Sequence, residues 1–251
     1  MQLTNEIITL LDKLGLHGMK FGLSGIGEED TCWQRVLASL LAQEVEYKKS
    51  RSLAYRLKVA KFPQIKLLSD TKSAHLVARI DVKQLIQRRE NLFFIGGSGS
   101  AKTHLAIALA YQALEHGKKV KFYTLIDLSR DLLQAKSHNY EKAFMHNLIR
   151  FDILVIDEFG YIAIDKLARV LLFELFAKLY EQTSVFITTH LKFNEWDNMF
   201  GDQKSTKAII DRLTHHCHII ETGNASYRLE KPVYDNSHSS NNGVAIVVDD
   251  V

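Results

Sequence analysis

The chain has 251 residues, 46% of them hydrophobic, which suits one core-sized domain with a smaller appendage. Its formal net charge of +3 is too small to indicate nucleic-acid binding by itself, so any basic surface must be local. Two cysteines exclude a disulfide-rich framework, and no apolar run reaches membrane-spanning length. The first residues lack the order of charge, apolar run and cleavage site of a signal peptide. We therefore expect a soluble, cytoplasmic protein with no membrane partner.

Residues 1–65 predict a small, all-helical amino-terminal domain. Apolar side chains at helical spacing over residues 3–14 predict an amphipathic first helix. After a glycine-rich stretch, a second helix is expected over about 28–61, because acidic residues suit its start and Pro63 cannot continue it. Residues 66–90 are expected to link this domain to the rest of the chain.

The second half of the predicted second helix is strongly basic. From residue 48 to residue 61 it carries no acidic side chain, and aromatic residues lie among and around the cations. Such a run is usually a solvated helix face, but it also fits a surface that contacts the phosphate backbone of double-stranded DNA. Composition leaves both interpretations open. The candidate DNA-binding residues are Lys48, Lys49, Arg51, Arg56, Lys58 and Lys61.

A phosphate-binding loop follows residue 90. An apolar run at 92–95 predicts a buried strand, small residues form a loop, and an Ala- and Leu-rich helix comes next. In this context backbone N–H groups cradle phosphates, Lys102 reaches the β- and γ-phosphates, and Thr103 offers its hydroxyl to Mg²⁺. The candidate nucleotide-binding residues of the loop are Gly96, Gly97, Ser98, Gly99, Ser100, Ala101, Lys102 and Thr103.

This loop departs from the usual pattern at one position. The pattern G-x-x-x-x-G-K-[ST] has Ala101 where its second glycine is expected. A glycine lets the backbone come close to a phosphate, whereas a Cβ can push the β-phosphate or the loop outward. Because the loop N–H groups and Lys102 remain, we expect nucleotide binding to be weakened rather than abolished.

Downstream of the loop, strand and helix signals alternate, which is typical of an α/β domain with a mainly parallel sheet. The tail 233–251 contains a Ser- and Asn-rich stretch and is expected to be disordered. Strands are expected at 120–123, 151–156, 185–187 and 218–221, with helices at 125–136, 167–180 and 207–213.

Polar residues end two of these strands. Asp157 and Glu158 follow the apolar run 153–156, at the edge where open α/β sheets bind ligands. Asp157 can hold Mg²⁺, and Glu158 can orient or deprotonate a water that attacks the γ-phosphate. His190 ends the next strand, where a polar side chain can hydrogen-bond that water or the γ-phosphate. A purely structural histidine is the equal alternative.

Residues 207–221 carry an arginine and a histidine cluster. Arg212 lies near the end of a predicted helix, and in an assembly it could stabilise charge on the γ-phosphate of a neighbouring subunit. Without an assembly it is a surface arginine. The run from His215 to His218 suggests metal binding, but neighbours on a strand point to opposite faces and no second Cys/His cluster completes a tetrahedral shell. We therefore predict no zinc site here.

Several stretches together form a pattern that is more specific than any single motif. In chain order they are LLAQEVEYKKSRSLAYRLKVAKFP (40–63), the phosphate loop with THLAIALA, DILVIDEFGY (152–161), TTHLKFNEW (188–196), DRLTHHCHIIE (211–221) and SYRL (226–229). In this combination the chain resembles the IstB-type helper ATPases of IS21-family transposons, which are relatives of the DnaC helicase loaders within the AAA+ class. The resemblance covers most of residues 1–232.

The resemblance implies an AAA+ P-loop NTPase core at 91–232 behind the small helical domain. It also implies ATP hydrolysis with Mg²⁺, self-assembly into an oligomer on double-stranded DNA, and delivery of that DNA to a partner transposase. Matching motif positions assign Lys102 and Thr103 to the phosphates and Mg²⁺. They also assign Asp157 as the carboxylate that holds the metal and Glu158 as the carboxylate that acts on the attacking water.

The resemblance extends to two arginines and also exposes departures. Arg212 falls on the arginine that the family supplies to a neighbouring subunit, and Arg228 falls on a position that senses nucleotide. The family usually has Asn at the position of His190, and residues 66–80 lack the aromatic element that often precedes the core. With Ala101, these departures leave three interpretations, namely a transposon helper, a DnaC-like replicative helicase loader and a nucleotide-dead DNA-binding relative. The basic helix favours the first.

Overall fold

The three-dimensional structure, a computed structural model, describes residues 2–16, 31–160, 164–192, 195–196 and 203–223. The predictions for the glycine-rich stretch after Leu16, for Arg228 and for the tail 233–251 lie outside these residues. Within the described part, no helix combines the length and the apolar character needed to cross a membrane.

Two helices form the amino-terminal part. Helix α1 spans Gln2–Leu14 and helix α2 spans Thr31–Ala60, in agreement with the two predicted helices. Ile7 and Leu11 of α1 are fully buried against the first half of α2. Helix α2 ends where Lys61 adopts a left-handed backbone with φ of 57°.

Residues 66–90 contain regular structure rather than an open linker. Two 3₁₀ helices at Leu68–Asp70 and Lys72–Val77 lead to helix α3 at Val82–Arg88. The side chain of Asp81 caps α3 by accepting a hydrogen bond from the backbone N–H of Lys83 at 2.9 Å. Each element is too short to give a clear periodic pattern of apolar residues, so the sequence predicts a linker here.

Five strands form one parallel sheet with the order β2-β3-β4-β1-β5. The strands are β1 Asn91–Ile95, β2 Val120–Thr124, β3 Ile153–Phe159, β4 Ser184–Thr189 and β5 Cys217–Glu221. The helices that connect or precede them are α4 Lys102–Glu115, α5 Leu125–Ser137, α6 Glu141–Ile149, α7 Lys166–Leu179 and α8 Gln203–Thr214.

Helices cover both faces of this sheet. Phe93 of β1 joins one apolar cluster with α5, α6, α7 and α8, whereas its neighbours Leu92 and Phe94 join a second cluster with α3 and α4. Successive strand residues point to opposite faces, so strands that are buried on both faces read as continuous apolar runs. The predicted α/β class with a parallel sheet is confirmed.

The second apolar cluster also includes residues that precede the sheet. Ala60 of α2, Val77 of the second 3₁₀ helix and Leu85 of α3 are buried in the same cluster as α4. The core of the sheet domain therefore begins within α2 rather than at residue 91. Because α4 and β2 leave an apolar surface on this face, the second half of α2 and residues 66–90 serve to cover it.

Candidate nucleotide-binding site

The candidate site lies where the carboxyl ends of β1, β3 and β4 meet. In the parallel register, Ile95 of β1 is opposite Thr189 of β4, and Ile156 of β3 is opposite Ile187 of β4. The phosphate loop, the acid pair and the polar end of β4 consequently lie side by side although they are far apart in the sequence. This edge is where open α/β sheets bind ligands.

The phosphate loop connects β1 to the start of α4. Lys102 is the first residue of α4 and is buried, and its Nζ donates hydrogen bonds to the carbonyl oxygens of Gly96 at 2.8 Å and Gly97 at 2.5 Å. The side chain of Lys102 therefore lies over the phosphate loop and is hydrogen-bonded to its backbone. The first N–H groups of α4 have no partner within the helix, so this end of α4 favours an anion.

Ala101 has a left-handed backbone, with φ of 67° and ψ of 13°, at the N-cap position of α4. This conformation suits glycine, and a residue with a Cβ adopts it at a cost of about 1–2 kcal/mol. From the sequence, the methyl group of Ala101 is expected to act on the phosphate or on the position of the loop. The structure adds a second effect, because the backbone of the loop is strained by the same methyl group.

The first half of the loop is held from behind by the residues that follow β5. A Cβ on Gly96 would lie 2.3 Å from Thr222 Oγ1 and 2.6 Å from the carbonyl oxygen of Gly223, so only glycine fits there. The backbone N–H of Gly97 donates to the carbonyl oxygen of Gly223 at 3.0 Å. Ser100 Oγ lies 2.6 Å from Thr222 Oγ1 and is fully buried.

Thr222 and Gly223 were not identified from the sequence. They directly follow β5, and β5 is paired in parallel with β1. The two residues therefore lie at the same edge of the sheet as the phosphate loop, and this position is what could have indicated their role. Parallel pairing of β1 with β5 is a property of the sheet order, which local patterns do not reveal.

Thr103 and Asp157 are brought together by the fold. Thr103 Oγ1 donates a hydrogen bond to Asp157 Oδ1 at 2.8 Å, and Thr188 Oγ1 donates to the same oxygen. Asp157 is buried, so its carboxylate is held in one place. Hydroxyl and carboxylate oxygens are the protein ligands that Mg²⁺ takes beside phosphates, so this donor set fits a magnesium ion.

Glu158 lies at an irregularity of the sheet. The register between β3 and β4 shifts between Ile156 and Phe159, and Glu158 has a positive φ of 58°. Its backbone N–H donates to Thr188 Oγ1 at 3.1 Å, while its side chain is exposed. The bulge turns the Glu158 side chain away from the sheet, where it lines a cavity of about 300 Å³ together with Arg130 and Asp165.

His190 is exposed directly after β4. The residue of this strand that contacts the acid pair is Thr188, because its hydroxyl binds both the carboxylate of Asp157 and the backbone of Glu158. The prediction placed the polar end of β4 beside the acid pair, and Thr188 accounts for that contact.

Arg212 lies in the last turn of α8, away from the phosphate loop of its own chain. Helix α8 leads into the start of β5, which is paired with the start of β1 at the amino edge of the sheet. The guanidinium lies over the ring of Phe173 of α7, 5.3 Å from its centroid. Nη1 is buried without a hydrogen-bond partner among the described residues, although this nitrogen is a strong donor.

The basic residues of α2 do not all face solvent freely. Lys48 and Lys49 lie 3.7 Å and 2.5 Å from the carboxylates of Glu44 and Glu46, one helical turn earlier. Arg51 stacks on the exposed ring of Tyr47 at 5.7 Å.

Arg56 is directed inward instead. Its Nη2 donates to the carbonyl oxygen of Leu114 in α4 at 2.9 Å, so it attaches α2 to the sheet domain. Lys58 and Lys61 are exposed. Burial lowers the pKa of the neighbouring Lys121, and the positive charge of Lys61 lowers that pKa further. Lys61 and Lys121 therefore lie near each other where α2 meets β2, and the negative charge of Asp131 raises the pKa of Lys121 in opposition.

A cleft of about 540 Å³ runs between α2 and the amino edge of the sheet. Among the described residues, its lining includes three cations and the ring of Tyr55, which is 70% exposed, and no acidic residue. Two of these cations, Lys119 and Arg150, lie on loops far from α2 in the sequence, so the sequence did not identify them. The three cations are Arg56, Lys119 and Arg150.

A phosphate loop after the first strand and an acid pair near the end of the third, on one parallel sheet, define a P-loop nucleotide-binding protein. The sequence profile of the family described as IstB-like ATP binding protein matches residues 9–233, and the chain belongs to this family. The IS21 insertion-sequence ATP-binding protein of Pseudomonas aeruginosa is 31% identical over 238 residues, which is 90% of each chain. The IS232 insertion-sequence ATP-binding protein of Bacillus thuringiensis subsp. berliner is 30% identical over 237 residues, 90% of this chain and 94% of that one.

Solved structures of the AAA+ class share the fold. DnaI superimposes with a TM-score of 0.53 at 15% identity, covering 62% of this chain and 90% of that chain. AMPPCP-bound DnaA from Aquifex aeolicus gives a TM-score of 0.52 at 18% identity, covering 64% of this chain and half of the DnaA chain. At these identities the likeness establishes the fold alone, and the predicted AAA+ fold is confirmed.

Proposed function

We propose that this chain is the ATP-dependent DNA-binding helper of an insertion sequence. It binds ATP at the carboxyl edge of its sheet, assembles with copies of itself on double-stranded DNA, and delivers or activates that DNA for a partner transposase. The observation that supports this proposal most directly is the meeting of Lys102, Thr103 and Asp157 at one edge of the sheet, in a chain of the IstB-like family.

Lys102 is the residue that would respond first to the nucleotide. Its Nζ bonds to two loop carbonyls, and these bonds are exchanged for bonds to the β- and γ-phosphate oxygens when ATP enters. Charge-assisted bonds to phosphate are stronger than bonds to neutral carbonyls, so the exchange favours binding. The N-terminal N–H groups of α4 receive the same phosphates.

Magnesium would be held by Thr103 and Asp157, and when bound it screens the charge of the phosphates. The hydroxyl of Thr103 donates a hydrogen bond to the carboxylate of Asp157 at 2.8 Å, and the hydroxyl of Thr188 on β4 donates another to the same carboxylate. The two threonines therefore keep Asp157 oriented. No large movement of these side chains is needed for them to serve as ligands.

Glu158 acts on the attacking water. Because its side chain is exposed while its backbone is fixed by Thr188, it can accept a proton from a water placed in line with the γ-phosphate. His190, at the end of the adjacent strand, orients that water or the γ-phosphate. Arg228 senses the nucleotide from the part of the chain beyond the described residues.

Arg212 completes the site of a neighbouring subunit. It lies at the edge of the sheet opposite its own phosphate loop, so it can serve only a nucleotide that another copy holds. Its position over Phe173 leaves one guanidinium nitrogen without a partner in the described part of the chain. Because this nitrogen is buried within its own chain, the guanidinium would move off Phe173 to reach a γ-phosphate that a neighbour holds, and hydrolysis would then depend on assembly.

DNA is contacted by the exposed cations of α2 and by the cleft beside them. Lys58 and Lys61 continue the positive surface, and Arg56, Lys119 and Arg150 extend it along the amino edge of the sheet. The exposed ring of Tyr55 lies among these cations. A surface of this kind binds the phosphate backbone without reading the base sequence.

The experiment that tests the function measures ATP binding and hydrolysis with and without duplex DNA. We expect DNA-stimulated hydrolysis by the natural chain, loss of nucleotide binding in Lys102→Ala, and retained binding without hydrolysis in Glu158→Gln. Failure of the natural chain to bind ATP would support the nucleotide-dead alternative, which rests on the methyl group of Ala101 at the expected position of the phosphate. Capture of a transposase is expected from cell extract, whereas capture of a replicative helicase alone would support a helicase loader.

A further inference from the structure

Three side chains outside the nucleotide site meet at the amino edge of the sheet. His215 and His216 lie between α8 and β5, and Glu181 lies between α7 and β4. One ligand atom from each of the three residues lies within 4.8 Å of the other two. All three residues are exposed, so an ion could reach them from solvent.

No zinc site was expected at these histidines, because strand neighbours point to opposite faces and no second Cys/His cluster follows in the sequence. Strand β5 begins only at Cys217, and His215 and His216 form the turn before it. Their rings make an edge-to-face contact, with centroids 4.2 Å apart, so the alternation of strand side chains does not separate them. The third ligand comes from a distant part of the chain, which no spacing pattern would indicate.

The backbone on both sides of the cluster is anchored to the sheet. Asn91 at the start of β1 donates from its backbone N–H to the carbonyl oxygen of His216 at 2.8 Å. Its side chain donates to the carbonyl oxygen of Leu213 at 2.9 Å and accepts from the N–H of Val185 in β4 at 2.8 Å. One residue thus ties the turn that carries the histidines to the strand that follows Glu181.

We propose that Glu181, His215 and His216 form a binding site for a divalent transition-metal ion, with zinc as the ion that suits it best. Imidazole nitrogen and carboxylate oxygen are zinc ligands, and three protein ligands with a water in the fourth position make a complete tetrahedral shell. Ligand atoms around zinc are about 3.3 Å apart when each lies about 2.0–2.1 Å from the ion. Exposed side chains close the remaining separation by small rotamer changes.

The neighbouring candidates are engaged elsewhere. Cys217 is half-buried and packs against the apolar cluster of α7 and α8. His218 Nε2 lies 2.8 Å from a carboxylate oxygen of Glu90. The Tyr180 hydroxyl lies 3.4 Å from Nδ1 of His215, where it can orient that ring as outer-shell partners of ligating histidines do.

A bound ion would join the turn after α7 to the end of α8. Arg212 lies in the last turn of α8 and stacks on Phe173 of α7, so the ion would hold together the two helices that position this arginine. This consequence rests on the proposed role of Arg212, whereas metal binding itself rests only on the three ligands. The two can fail separately.

The test uses the full chain without a histidine tag, freed of metal, and titrated with Zn²⁺ in competition with a chromophoric chelator. Co²⁺ serves as a second probe because four-coordinate Co²⁺ absorbs visible light strongly. We expect one zinc ion per chain, and a loss of affinity of roughly tenfold or more in both His216→Ala and Glu181→Gln. The matched control is His218→Ala, which removes a histidine of the same run and is expected to bind zinc as the natural chain does.

Unchanged zinc affinity in Glu181→Gln would overturn the proposal, and so would equal losses in His216→Ala and His218→Ala. Thermal unfolding in chelator checks that the variants fold. Should His216→Ala be unfolded, Glu181→Gln decides the question alone, because it changes a charge at an exposed turn and preserves the size of the side chain.

Discussion

Replacing Ala101 by glycine separates the two effects of its methyl group. The backbone at this position has φ of 67°, which costs an alanine about 1–2 kcal/mol relative to a glycine. A glycine also makes the unfolded chain more flexible, which costs about 0.4–1 kcal/mol of stability. We therefore expect the free energy of unfolding to rise by no more than about 1.5 kcal/mol.

The effect on ATP binding has a different origin. Backbone strain is present both with and without nucleotide, so it cancels in the dissociation constant. Only contact between the methyl group and the phosphate remains, and a misfit of about 3 kcal/mol corresponds to roughly a hundredfold change in affinity. We expect Ala101→Gly to bind a non-hydrolysable ATP analogue up to about a hundredfold more tightly than the natural chain.

The assay is a titration with a fluorescent ATP analogue beside thermal unfolding of the same samples. Asn139→Gly is the matched control, since Asn139 is exposed and also has a positive φ, of 59°, but lies between α5 and α6. We expect this control to change stability slightly and the dissociation constant not at all. Equal dissociation constants for the natural chain and Ala101→Gly would refute the argument that the methyl group obstructs the phosphate.

Three further predictions follow from the contacts of the site. Thr188→Val removes the hydroxyl that holds Asp157 and Glu158, so we expect a loss of about 1–3 kcal/mol in the free energy of unfolding together with a loss of hydrolysis. The control Thr183→Val removes a hydroxyl bonded to the carbonyl of Ile149 and should lower stability while sparing hydrolysis. Glu158→Gln and Arg212→Ala should each be inactive alone but regain hydrolysis when mixed, because mixed assemblies contain sites with an intact Glu158 and an intact Arg212; no recovery would contradict a shared site. Replacing Lys119 and Arg150 by alanine should reduce the slope of log affinity for DNA against log salt by about 1.8, and an unchanged slope would exclude the cleft from the DNA surface. Lys166→Ala, on the exposed start of α7, is the control for that change.

Much of the nucleotide site could be predicted because its chemistry is local. The phosphate loop and the acid pair each follow directly from a buried strand, and strand, loop and helix are adjacent in the chain. Thr188 is more than thirty residues from Asp157, yet sequence reasoning placed the polar end of β4 near the acid pair, since parallel strands end at one edge.

Other parts depend on contacts between distant segments. The covering of α4 by α2 and residues 66–90 could not be predicted, because these elements are short or show no clear apolar period. The grouping of Glu181 with His215 and His216 illustrates a second cause. Both the predicted strand at 218–221 and the observed β5 leave His215 and His216 before the strand. The third member of the group, Glu181, comes from a turn more than thirty residues away, which no local spacing indicates.

The sequence by itself determined the class of this protein. Lys102, Thr103 and Asp157 are recognised by their positions in the sequence relative to the apolar strands. These positions do not depend on how the surrounding helices pack. Only the tertiary structure decided how Thr222 and Gly223 support the loop, and which cations share a cleft with Arg56. Those contacts arise from the order of strands in the sheet and from the packing of α2 on its face. Both are global results of burying apolar surface, so no local stretch of sequence encodes them.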